Sequence, residues 1–131
     1  MPAPLKLSGK KKYHPQAYEF VFDALRFTQE KLQRNALEDM ENEESHISGE
    51  ELLNGIQELA KQQFGWLAHT VFTQWNVTST DDFGYIVFDL IEKGKMRKTD
   101  HDRLTDFFDV YNFEQVLERD YVFDVNKAFK V

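Results

Sequence analysis

Apolar residues recur at the spacing of an amphipathic helix in several separate stretches of this chain. Pro15 suits the first turn of a helix, and beyond it Tyr18, Val21, Phe22, Leu25 and Leu32 fall on one face. Ala17, Phe20, Ala24 and Phe27 make a second stripe on the opposite side. A helix apolar on two faces is covered on both, by its own domain or by a partner. Ser48 and Glu51 have the spacing of a capping box, with Ile47 and Leu52 at the positions of a hydrophobic staple. Leu52, Ile56, Leu59 and Ala60 then follow one face, and Gly65 suits a C-terminal stop. A shorter helix is expected over residues 66–75, with Leu67, Ala68, Val71 and Phe72 inward.

Residues 76–80 read as a turn. Ser79 or Thr80 can cap a fourth helix, and Asp81 and Asp82 suit its positive first turn. Phe83, Ile86, Val87, Leu90 and Ile91 form its buried face, and Gly94 ends it. Thr99 with Asp102 predicts the cap of a fifth helix through Leu104, Phe107 and Phe108, and Asn112 with Gln115 that of a short sixth. Tyr121, Phe123 and Val125 alternate with Val122 and Asp124, a strand pattern. The fold expected is therefore mainly α: a compact single domain of five to six helices with a helix-turn-helix-like core. A small β-ribbon is added, joining residues 95–98 to 121–125. Residues 1–12 hold two prolines, a glycine and Lys6, Lys10, Lys11 and Lys12, and read as a basic flexible arm ahead of a helical domain over 13–131.

At 131 residues the chain can bury a core without metals or staples. An aromatic content of 15% argues against disorder. The chain has no cysteine, which excludes disulfides, thiolate nucleophiles and cysteine metal sites. The first twelve residues lack the apolar core of a secretory signal, and no apolar run approaches the roughly 20 residues that span a bilayer. A cytoplasmic location without membrane attachment is the expectation. The net charge of −7 weighs against general nucleic-acid binding. The charge is nevertheless uneven: Lys10, Lys11 and Lys12 form one basic cluster, and Lys93, Lys95, Arg97 and Lys98 form another.

Four kinds of chemistry can be weighed. The helix–turn–helix order followed by a basic segment has the outline of a winged groove-reading unit. The outward residues of its second helix would be Asp81, Asp82, Tyr85, Asp89 and Glu92, and carboxylates there repel a polyanion. Asp100, His101 and Asp102, with Asp106 and Asp109, offer metal-ligand types. Acidic residues in a first helical turn are explained without a metal, and the spacing matches neither an EF-hand nor an HExxH helix. The four histidines are scattered, no glycine-rich phosphate loop follows a strand, and no carboxylate pair stands out. Catalysis would need a pocket placing His69 or His101 within reach of a carboxylate. No cofactor is implied. Finally, twelve phenylalanines, five tyrosines and two tryptophans are many for this length; most are expected in the core, and aromatics are also enriched in interfaces. Phe20 and Phe27 on the two-faced helix, and Tyr121, Phe123 and Phe129 in the tail, are the candidate partner-binding residues.

Three separated stretches look familiar. They are His46-Ile47-Ser48-Gly49-Glu50-Glu51-Leu52-Leu53-Asn54-Gly55-Ile56, Phe83-Gly84-Tyr85-Ile86-Val87-Phe88 and Asp106-Phe107-Phe108-Asp109-Val110-Tyr111. Together they resemble an uncharacterised family of small planctomycetal and verrucomicrobial proteins over residues 13–125. The resemblance implies a bacterial, intracellular protein and carries no activity, ligand or site residue. The leading functional expectation is a non-enzymatic protein–protein interaction or adaptor protein that binds an unknown partner or itself. The alternative is a nucleic-acid- or ribosome-associated protein, with Lys10, Lys11, Lys12, Lys93, Lys95, Arg97 and Lys98 on phosphate. That alternative gains if the two basic clusters merge into one patch.

Overall fold

A computed structural model of the chain describes residues 11–33, 46–98 and 102–119. Helix α1 spans Pro15–Lys31, α2 Gly49–Phe64, α3 Ala68–Gln74 and α4 Thr80–Glu92. Helix α1 lies along α2, and α4 packs against both. Each start follows from local chemistry. His14 caps α1, its Nδ1 accepting the Gln16 N–H at 3.0 Å ahead of Pro15. Ser48 and Glu51 form the reciprocal box at the start of α2, at 3.0 and 3.1 Å. The chain reverses after α2 through the single 3-10 turn Gly65–Leu67 and runs straight into α3.

The core is largely a stack of rings. Phe72, with its side chain fully buried, stands 5.1 Å from Phe83, 5.3 Å from Phe113 and 5.7 Å from Phe20. Phe20 also meets Trp75 at 5.4 Å and Phe64 at 5.8 Å. Edge-to-face and tilted arrangements of this kind add to the area that the rings bury. Around them pack Leu53, Ile56, Ile86, Val21 and Leu117. The close approach of α1 to α2 depends on Gly55, where a Cβ would stand 1.9 Å from the Thr28 hydroxyl.

Beyond α4 the chain departs from the helical expectation. The expected fifth helix is one 3-10 turn, Leu104–Phe107, and the sixth is one π-helical segment, Glu114–Arg119. The reason is tertiary. The backbone N–H of Asp109 donates to the Asp81 carboxylate at 2.8 Å, and that of Val110 to the Thr80 hydroxyl at 3.0 Å. Donors that would build a helical ladder are tied instead to the start of α4. Asp109 adopts φ 51°, which turns the chain away, and the Tyr111 hydroxyl donates to the Leu53 carbonyl at 2.6 Å. Burial holds that phenol protonated, its pKa raised well above the ordinary value. Asn112 does cap the last segment, accepting from the Gln115 N–H at 2.9 Å. Five to six helices thus become four α-helices among the described residues, and those residues contain no strand. Residues 95–98 are bend and irregular backbone rather than one side of a ribbon. Residues 121–125, the other side, lie outside the described residues, as do Tyr121, Phe123 and Phe129.

Candidate functional site

The end of α4 sets one wall of a pocket. The Gly94 N–H donates to the Ile91 carbonyl at 3.0 Å and the Lys95 N–H to the Leu90 carbonyl at 2.8 Å. Gly94 sits at φ 75°, which completes a Schellman turn. That turn fixes the path of Lys95, Met96 and Arg97. Met96 packs against the core, while Lys95 and Arg97 stay exposed. The opposite wall is the start of α2, with His46, Ile47, Ser48 and Leu52. Leu25 and Gln29 of α1 and Phe107 of the 3-10 turn complete the lining. Between these elements lies a pocket of about 460 Å³ whose floor is apolar: Leu25, Leu52, Val87, Phe88, Ile91 and Phe107. That volume falls in the range of small-molecule sites, roughly 300–1,000 Å³.

A polar pair is set into this apolar surround. His46 Nε2 lies 2.6 Å from Asp102 Oδ2, and both side chains are largely withdrawn from solvent, at 16% and 15% exposure. An ionised carboxylate only accepts, so the ring donates from Nε2, which orients the imidazole. Lys95 and Arg97 at the mouth carry no ion pair among the described residues. The pocket therefore combines an oily floor, one oriented imidazole–carboxylate pair and two uncommitted cations.

A second groove of about 670 Å³ adjoins it across Phe88 and Ile91, which line both. Lys11, Lys12 and Lys93 line this groove with Tyr13, Tyr18 and Tyr85. Most of its polar groups are internally matched. Tyr18 donates to Asp89 at 3.1 Å, as does Lys93 at the same distance. Burial and the Asp89 carboxylate push the Tyr18 phenol up to about 12. The Lys11 ammonium pairs with Asp82 at 2.9 Å. Asp82, only 4% exposed, also accepts from the Tyr13 hydroxyl at 2.6 Å and from the Thr78 and Ser79 N–H groups at 2.8 and 3.3 Å. Burial pushes the Asp82 pKa upward. Donation from Tyr13, Thr78 and Lys11 outweighs it and holds the carboxyl below its ordinary value. Tyr13 shifts oppositely: burial, then its bond to Asp82, raises the phenol.

The residues singled out by sequence are dispersed. Phe20 is core, and Phe27 is half-buried against it. With Ala17 and Ala24 buried as well, the second stripe of α1 is covered by the domain itself. Asp82, expected to face outward on α4, is the most heavily hydrogen-bonded carboxylate described above. Helix α4 is not laid out for groove reading, because Tyr85 meets Phe108 at 5.9 Å and the 3-10 turn packs along it. Lys10, Asp100 and His101 lie outside the described residues. Lys98 is exposed and engaged. Lys12 is exposed, and its carbonyl accepts from the Asn76 amide at 2.9 Å. Among the described residues, no group of three His, Cys, Asp or Glu side chains could hold a metal ion, and no helix is long and apolar enough to cross a membrane. His69 pairs with Glu118 in a partly exposed position. The imidazole in the pocket is His46, whose partner lies 56 residues away, a separation with no signature in the sequence.

No family model, curated protein or solved structure matches this chain.

Proposed function

We propose that this chain acts by binding rather than by catalysis: it is a non-enzymatic cytoplasmic interaction protein whose receptor site is the pocket between α1, the start of α2 and the end of α4. The observation that carries the reading is the apolar floor of that pocket, open to an apolar group from outside and lined by parts of three helices that the core holds in place. A concave, largely apolar lining with a few polar groups set into it is the usual form of a small-molecule site. The described rings lend the reading little support. Phe20, Phe64, Phe72, Phe83, Phe113 and Trp75 form a connected cluster inside the domain.

The neutral dye Nile red tests it. Fluorescence titration should show about one saturable site per chain, and Leu25→Trp or Gln29→Phe, each adding bulk at the pocket wall, should abolish it while far-UV circular dichroism stays unchanged. Undiminished dye binding in both folded variants would place the receptor surface elsewhere.

A nucleic-acid- or ribosome-associated role is the second reading, and one feature favours it: both basic clusters border adjoining cavities that share Phe88 and Ile91. The charge sum disfavours it. Lys11, Lys12, Lys93, Lys95 and Arg97 are interleaved with Asp82, Asp89, Glu92 and Asp102, five cations against four carboxylates. Phosphate binding needs a net excess of cation along the backbone.

A further inference from the structure

We infer that the pocket takes an amphiphilic monocarboxylate of the fatty-acid class, its alkyl tail on the apolar floor and its carboxylate at Lys95 and Arg97. This rests on the pocket being the receptor site and adds what enters it. The floor supplies no hydrogen-bonding specificity of its own. Leu25, Leu52, Val87 and Ile91 are aliphatic, and they recognise an alkyl chain by excluding water from it.

Selectivity then lies at the mouth. The Schellman turn at Gly94 presents Lys95 and Arg97 on a fixed backbone immediately after α4, so the ordering cost on binding falls on the two side chains and not on the backbone. With histidine counted neutral, these two cations and Asp102 leave one net positive charge, which matches a monoanion. A planar guanidinium fits a planar carboxylate through paired hydrogen bonds. Asp102 repels a second negative charge, so a dianionic head group meets more opposition than a single carboxylate. The whole protein carries net charge −7, so a long-range field does not gather anions. The preference is local to the mouth.

Displacement of bound Nile red by octanoate, octanol and octylammonium tests the inference. Octanoate should displace the dye at about tenfold lower concentration than octanol, and octylammonium should be the weakest. A series from hexanoate to decanoate should strengthen by about fourfold per methylene while the tail remains within the pocket. Replacing both exposed cations, Lys95→Gln with Arg97→Gln, should reduce octanoate to the level of octanol, a loss far larger than any change in octanol or Nile red binding. Equal displacement by octanoate and octanol, or a double variant that binds octanoate like the parent, overturns the carboxylate assignment and leaves the pocket standing. Absence of saturable Nile red binding in the parent protein overturns the pocket as a receptor as well.

Discussion

Asp82 takes hydrogen bonds from Lys11, Tyr13, Thr78 and Ser79, and so pins the segment before α1 to the turn before α4. Replacing it with alanine strands these donors around a buried site and should cost about 3 kcal/mol, measured by urea denaturation. Tyr13→Phe removes one bond to a charged acceptor and should cost about 1.5–3 kcal/mol. The sign of the pH dependence follows from the lowered Asp82 pKa. Its contribution is complete above the unfolded carboxylate value, about 3.9, and is lost as pH falls through the lower folded value. Denaturation midpoints followed from pH 7 to strongly acid solution should therefore fall less steeply below pH ~4 in Asp82→Asn than in the parent. Parallel acid limbs would show that the carboxylate is not held in the folded state as described. The sequence placed Asp82 in the first turn of its helix but on the outward face. A capping residue's side chain folds back over the turn, and helical periodicity does not report that.

Helix starts were legible because they are local. Pro15 and the Ser48–Glu51 box act within a few residues, and α1 and α2 begin where they place them; of the two caps open for α4, Ser79 takes the position and Thr80 is the first helical residue. Residues 102–119 were not legible for the converse reason. Their apolar spacing and caps favour helix, but their backbone donors go to Asp81 and Thr80 and their phenol to Leu53, partners 28, 30 and 58 residues away. The α1–α2 pair is the element contact most open to a direct test. Gly55→Ala drives a methyl group into Thr28 and should destabilise the protein by about 1–3 kcal/mol. Thr28→Ala in the same chain should recover a substantial part of that loss. Strict additivity in the double-mutant cycle would mean that the two helices do not approach as closely as this.

Across the whole molecule, charge and aromatic content each suggested more surface function than the fold supports. Most of the described rings lie in the core or against it, and the described residues of the two basic clusters are offset by carboxylates that helix α4 and its neighbours bring between them. A short single-stranded RNA should accordingly show no salt-sensitive binding at physiological ionic strength in a filter or anisotropy assay. The exposed exception among the described Phe, Tyr and Trp rings is Trp66, at 58% exposure beside Leu67 at 46%. It stands on the 3-10 turn next to the last described segment, away from the pocket lining. The pocket itself could not be read in advance, because Leu25, Ser48, Ile91 and Arg97 come from four separate stretches. Their convergence depends on packing and on the turn at Gly94.

The receptor claim is most directly tested by a nitrogen-15 NMR titration of the full chain with octanoate. We expect the largest saturable shifts at the backbone amides of Leu25, Gln29, Ser48, Ile91, Gly94 and Arg97, with Trp66 and Leu67 unmoved. Shifts centred on Trp66 and Leu67, or none that saturate in a protein that also fails to bind Nile red, would contradict the assignment of the pocket as the binding site.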